Sequence, residues 1–123
     1  MKLLSALTVS LVGVGVLALA PQVLADTVQA RCDVFPAGED RATSTGLCSF
    51  SQRQGFVSIR LQNGRTIELR PNESKANAFF DAKGAPARRE ILGDQRGQVY
   101  RLATQSIFVF WDPAPYAKTA PKR

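Results

Sequence analysis

The chain has 123 residues, 16 Lys and Arg against 10 Asp and Glu, two cysteines and no histidine. That length allows one domain with a modest core. The missing histidine removes the usual triads and imidazole bases, and two cysteines alone cannot make an ordinary zinc site.

In chain order, Lys2 gives a short positive start, and residues 3–20 are apolar apart from Ser5, Thr8 and Ser10. Val23-Leu24-Ala25 then sets small residues at the −3 and −1 positions of a cleavage site before Asp26. Residues 1–25 therefore read as a secretory signal peptide, with a retained N-terminal anchor as the alternative. No cysteine follows the apolar stretch, which argues against a lipid anchor. Removing 25 of the 123 residues leaves 98, with 15 bases against 10 acids, a charge of +5, and no later transmembrane segment. Arginine supplies 11 of those 15 bases. In an envelope compartment such a surface suits an envelope glycan, a lipid headgroup or an acidic envelope protein rather than nucleic acid; solubility alone is the plainer explanation. An even cysteine count behind an export signal predicts a Cys32–Cys48 disulfide.

Residues 27–35 alternate enough to form a first strand, which Pro36 stops. Residues 36–46 are polar and rich in turn formers, so they read as a loop that the disulfide pins at both ends. Residues 47–52 resume as a strand with Cys48 and Phe50 on one face. Residues 55–71 form the clearest hairpin. A three-residue loop, Gln62-Asn63-Gly64 with Gly64 left-handed, pairs Ile59 with Ile67 and Val57 with Leu69. A two-residue Asn-Gly loop would instead set Arg60 against Ile67. The favoured register puts Phe56 opposite Arg70 on the outer face, as a cation–π pair.

Residues 77–82 and 87–92 read as a second hairpin around Lys83-Gly84. The competing reading for residues 86–92 is a short helix opened by Pro86 and capped by Gly93. Residues 98–111 form the last hairpin, with Leu102 expected opposite Ile107, Tyr100 opposite Val109 and a loop over residues 103–106. Its apolar run, residues 107–111, holds the only tryptophan. Alternation sends Tyr100, Leu102, Ile107, Val109 and Trp111 to one face and Val99, Arg101, Phe108 and Phe110 to the other. The expected core is Val57, Ile59, Leu61, Ile67, Leu69, Leu102, Ile107, Val109 and Trp111. Residues 113–123, rich in proline, alanine and base, read as a flexible tail.

No GxSxG, P-loop, CxxC or helix-opening GxGxxG is present. Among the carboxylates, Asp33, Glu39, Asp40 and Asp94 read as loop and turn residues. The outward aromatics of the last hairpin are either covered by other structure or form a binding patch. The candidate binding face is Phe56, Arg60, Arg70, Arg101, Phe108 and Phe110, since arginine and aromatic side chains dominate binding hot spots.

Cys32-Asp33-Val34-Phe35, residues 38–42, residues 48–55, residues 97–102 and Val109-Phe110-Trp111-Asp112 together resemble a group of small exported bacterial β-rich proteins. The likeness covers nearly all of the chain after residue 25 and carries no catalytic residues across. In size, export signal, single disulfide and strand content the chain is also similar to bacterial C-type lysozyme inhibitors. That resemblance implies a small antiparallel barrel and, as a function, the plugging of a lysozyme cleft. The inhibitors' tryptophan- and glycine-bearing loop has no counterpart here, and a +5 chain meets a repulsive field on a basic lysozyme.

The expected fold is all-β: about eight short antiparallel strands in meander order over residues 26–112, closing as a barrel or a sandwich. The expected function is non-catalytic binding in the periplasm or outside the cell, without a cofactor. Inhibition of a lysozyme-type hydrolase is the alternative, and a small carboxylate hydrolase the third.

Overall fold

In the computed structural model, which describes residues 26–117, the chain forms eight antiparallel strands closed into a barrel in strict sequence order. They are β1 (Asp26–Pro36), β2 (Ser44–Arg53), β3 (Phe56–Leu61), β4 (Thr66–Pro71), β5 (Ala78–Phe80), β6 (Pro86–Ile91), β7 (Gly97–Arg101) and β8 (Gln105–Phe110). The barrel is closed by β1 and β8, which pair from Arg31 opposite Phe110 to Pro36 opposite Gln105. Residues 86–92 are strand rather than helix through Ile91, and a short 3-10 turn, Gly93–Gln95, leads into β7. Residues 1–25, read as the signal peptide, lie outside the described residues, as do residues 118–123.

An eight-stranded barrel has an interior just wide enough to be filled by side chains. The inward positions of every strand do this here: Ala30, Cys32 and Val34 of β1; Cys48 and Phe50 of β2; Val57, Ile59 and Leu61 of β3; Ile67 and Leu69 of β4; Phe79; Ala87; Tyr100; and Ile107 and Val109 of β8. Tyr100 is fully buried and stands between Phe79, at 5.8 Å, and Phe50, at 6.1 Å between ring centroids. Phe50 in turn meets the edge of Trp111 at 5.1 Å. This aromatic string joins β5, β7, β2 and the end of β8.

The central hairpin has the register the alternation predicts, with Ile59 opposite Ile67 and Val57 opposite Leu69. Gly64 takes the left-handed conformation (φ 93°) in the three-residue loop, where a side chain would be strained. Other expectations need correction. Trp111 and Leu102 are partly buried rather than central. Trp111 follows the last residue of β8 and packs on the core from beyond the strand's end. The last hairpin pairs Tyr100 with Ile107 and Val99 with Phe108, two residues tighter than expected. Leu102 therefore falls in the turn, where its N–H donates to the Gln105 carbonyl at 2.8 Å. A two-residue shift leaves every side chain on its original face, so alternation could not distinguish the registers.

Arg70 stacks over Phe80, at 4.7 Å, and not over Phe56. Asp33 lies within β1, opposite Thr45, rather than in a loop. The loop read as residues 36–46 is shorter, since β2 already begins at Ser44. Of the segment read as a tail, residues 113–117 turn back towards the barrel. Pro113 is buried, and the Tyr116 hydroxyl lies 2.7 Å from Thr45 Oγ1.

The disulfide is present, with Cα atoms 5.8 Å apart. Both cysteines point inward, Cys32 at 2% and Cys48 at 5% exposure. Cys48 pairs with Ala30, so the bridge runs diagonally between β1 and β2 inside the core. Closing a loop of this size stabilises by about 3 kcal/mol in the chain-entropy model. Cys32→Ala with Cys48→Ala should lower unfolding stability by about that amount, or more where the core cannot collapse around the missing sulfurs. Urea denaturation of oxidised wild type against the double variant measures it, and equal midpoints would show the bridge to be dispensable.

Gly97 faces Phe110 across β7 and β8, and a Cβ there would collide with the Val109 carbonyl. Gly97→Ala must push β8 outward, at a cost of about 3 kcal/mol, the upper end for overpacking. The same denaturation experiment tests it, and a loss below about 0.5 kcal/mol, within the usual surface range, would mean that the strands part freely.

Candidate binding face

Closing the barrel places the outward residues of β1 beside those of β8, and three rows of side chains cross this wall. The first is Phe35, Ser106, Arg101 and Arg88; the second Asp33, Phe108, Val99 and Glu90; the third Arg31, Phe110 and Gly97. Phe108 stacks on Phe110 at 6.2 Å and meets the edge of Phe35 at 5.2 Å. The Arg31 guanidinium lies 4.3 Å above the Phe110 ring, and that of Arg101 lies 5.7 Å from Phe108. Cations over aromatic faces are attracted by the ring quadrupole. The phenylalanines are thus half-covered by each other and by arginine. Val99 is 1% exposed although it points away from the core cluster.

Each carboxylate on this wall is held by arginine. Arg31 Nη2 donates to Asp33 Oδ2 at 3.2 Å, while Asp33 Oδ1 is buried with no hydrogen-bond partner among the described residues. Glu90 Oε2 accepts from Arg101 Nε and from Arg88 Nη2, both at 3.0 Å. Arg101 also donates to Ser106 Oγ at 3.1 Å. The hydrogen bond from Arg101 outweighs the modest desolvation and, with that from Arg88, holds the Glu90 carboxyl below its ordinary value of 4.5.

The six residues expected to share a face do not. Arg101, Phe108 and Phe110 lie together on β7 and β8. Phe56, Arg60 and Arg70 lie on β3 and β4, separated from β8 by β1 and β2 on one side and by β5 to β7 on the other. Phe56 is 54% exposed. Arg60 lines a separate shallow cavity with Thr27, Val28 and Leu61. Sequence reading missed Arg31, Asp33 and Phe35, which alternate with the inward Ala30, Cys32 and Val34. The cysteine at position 32, once assigned to the core, is the signal that could have placed them outward.

Beside this wall runs a cavity of about 550 Å³ between β6, the end of β7 and the loop before β5. Lys75, Arg88, Arg89 and Arg101 line it together with Asn72 and Asn77, and among the described residues its lining contains no carboxylate. Arg88 and Arg101 belong to both the aromatic wall and the cavity. Arg89 donates through Nε to Asn77 Oδ1 at 3.0 Å, and its guanidinium lies 5.3 Å over Phe79. Burial pushes the Tyr100 hydroxyl above its usual pKa, a shift that the neighbouring Arg89 opposes.

Comparison of the chain with protein-family models, curated proteins and solved structures finds no match.

A carboxylate whose pKa is lower in the folded than in the unfolded state stabilises the fold above its ordinary value. That contribution is lost as pH falls through the folded value. Glu90→Gln should therefore lower Tm slightly at pH 7, and the gap from wild type should close as pH drops below 4.5. The effect is small because the pair is solvent-exposed and screened. Melting curves between pH 7 and pH 3 read it, and a gap independent of pH would refute the assignment.

Proposed function

We propose that this barrel is a non-catalytic binding module of an oxidising compartment, periplasmic or extracellular, that engages an anionic envelope component. The observation that carries this reading is the cavity lined by Lys75, Arg88, Arg89 and Arg101, without a carboxylate among the described residues that line it, which shares Arg88 and Arg101 with the Phe35, Phe108 and Phe110 wall. A concentration of one sign of charge in a concave site raises the local concentration of the opposite charge. Rigid aromatic rings held beside arginine supply contact area at little entropic cost.

Binding rather than catalysis is favoured by the chemistry of the wall. With no histidine in the chain, carboxylates are the main general acids and bases on offer. Glu90 is held ionised by two arginines, so it is not poised to donate a proton. The buried Cys32–Cys48 bridge supports export, because disulfides persist in oxidising compartments.

The test is capture from envelope extract by the purified, disulfide-intact protein at low and high salt. Salt-sensitive capture of an anionic glycan or lipid supports the reading. Salt-resistant capture of a cell-wall hydrolase would overturn it in favour of an inhibitor. Phe108→Ser with Phe110→Ser should keep the barrel, since neither ring belongs to the core cluster, but weaken capture several-fold. Arg101→Glu should weaken it more at low salt than at high salt, because exposed charges are screened within about 8–10 Å at physiological ionic strength. Arg60→Glu, on the opposite wall, should leave capture nearly unchanged, and equal losses from Arg60 and Arg101 would mean that only net charge matters.

A further inference from the structure

We infer that the cavity beside β6 is a phosphate site centred on Arg89, able to take the phosphoryl group of a phosphate ester. This deepens the reading above and rests on it for the source of the ester, though not for the site itself.

Arg89 differs from the other arginines of this side of the barrel. Arg31, Arg88 and Arg101 each pair with a carboxylate. Arg89 has no carboxylate partner among the described residues, yet its side chain is only half-exposed. It is held in place without one. Its Nε donates to Asn77 Oδ1, its backbone N–H donates to the Asn77 carbonyl at 2.8 Å, and its guanidinium lies over Phe79. Asn77 itself sits in the left-handed conformation (φ 58°), at the end of the loop that carries Lys75. A guanidinium fixed in orientation and lacking its counter-ion is preorganised for an oxyanion, since less freedom is lost on binding.

The donor balance of the cavity selects the class of ligand. Lysine and arginine have donors only. The two asparagines have committed their oxygens, Asn77 Oδ1 to Arg89 and Asn72 Oδ1 to the Ser74 N–H and hydroxyl. Their amide N–H groups are what they can offer a ligand. The lining thus presents donors to an occupant that must bring acceptors. Of the four cations, Arg88 and Arg101 share the carboxylate of Glu90, and Glu73 lines the adjoining cavity, which leaves a surplus of two positive charges. A carboxylate ligand would neutralise one of them. A phosphate monoester carries about −1.5 to −2 at neutral pH and three strong acceptor oxygens. It therefore answers both the surplus charge and the surplus donors better.

Size agrees. The cavity of about 550 Å³ adjoins a second of about 450 Å³, and Asn72, Lys75, Asn77, Phe79 and Arg89 line both. Arg89 and Lys75 therefore lie where the two meet; the second cavity also carries Glu73, so the first is the side that receives the phosphoryl group and the second has room for the uncharged alcohol portion of an ester. Each volume falls in the range of small-molecule sites.

The test is an amide-shift titration of the disulfide-intact protein with inorganic phosphate, glycerol 3-phosphate and acetate at pH 8 and low salt. Saturable shifts centred on Asn77 and Arg89 are expected for both phosphates, with Kd of about 0.1–5 mM, typical of a small charged fragment. Acetate should bind at least tenfold more weakly. Arg89→Gln should weaken phosphate binding at least tenfold. Lys75→Glu, a change on an exposed loop, should do so comparably and decides the matter if Arg89→Gln fails to fold. Equal affinity for acetate, shifts spread over all arginines without saturation, or unchanged binding in Lys75→Glu would overturn the site. Flotation with phosphatidic acid vesicles separates the sources. Capture competed by glycerol 3-phosphate assigns the group to a lipid, and phosphate binding without vesicle capture assigns it to a soluble ester. If envelope capture is salt-sensitive while phosphate fails to bind, this inference falls and the broader reading stands; if both fail, both fall.

Discussion

Closure of β1 onto β8 is the constraint on which the remaining structure depends. Without that seam the sheet would present two open edges, and edges of unpaired N–H and C=O groups invite association with other chains. With it, alternate residues of every strand are committed to a shared interior. The seam also has a consequence outside the barrel. It sets Arg31 beside Phe110 and Asp33 beside Phe108, residues far apart in sequence that no hairpin could bring together. The aromatic wall exists because the barrel closes.

The interior explains why that wall can carry three phenylalanines without being a second core. The inward positions of the strands form one cluster around Tyr100, and the disulfide fills the part of it between β1 and β2. Phe35, Phe108 and Phe110 must then lie outside. Their neighbours meet the resulting hydration cost: arginines cover the faces, and the rings cover one another. Gly97 fits the same logic. The close approach of Val109 leaves no room for a side chain there, and the gap lies opposite the large ring of Phe110, an arrangement familiar from glycines in sheets that are covered by an aromatic neighbour.

Much of this was legible in the chain, for physical reasons that can be named. Period-two alternation fixed the faces of β3, β4, β7 and β8, because a one-residue slip would turn Ile59, Ile67, Ile107 and Val109 out to water. It could not fix the register of the last hairpin, since a two-residue shift preserves the faces, and the tighter turn at Leu102 decided it. Nor could it reveal which outer residues would be neighbours. Arg60 and Arg101 look equivalent along the chain, yet the circular strand order puts them on different walls. Along the chain Phe56 is the hairpin neighbour of Arg70, whereas Phe80, the ring it stacks on, arrives from β5 across a seam of only two residue pairs. The neighbours of Arg89 are close in space only once β5 and β6 have paired around Asn77, so nothing along the chain distinguishes it from the other arginines.

The distribution of acids over the basic surface is what separates scaffold from site. An arginine on a strand face can keep its charge at little cost if a carboxylate stands next to it, as Asp33 does for Arg31 and Glu90 for Arg88 and Arg101. Such pairs add little stability when exposed, but they cancel the local field and fix side chains over the rings they cover. A pairing rule applied throughout would leave no site, only a neutral surface. The chain departs from that rule at Arg89, where Asn77 stands beside the guanidinium and supplies no compensating charge. Asparagine can orient a guanidinium through its oxygen but cannot neutralise it. Placing an amide where a carboxylate would satisfy Arg89 both electrostatically and by hydrogen bonding forgoes the stronger interaction in the free protein. It leaves that interaction to be made with something from outside.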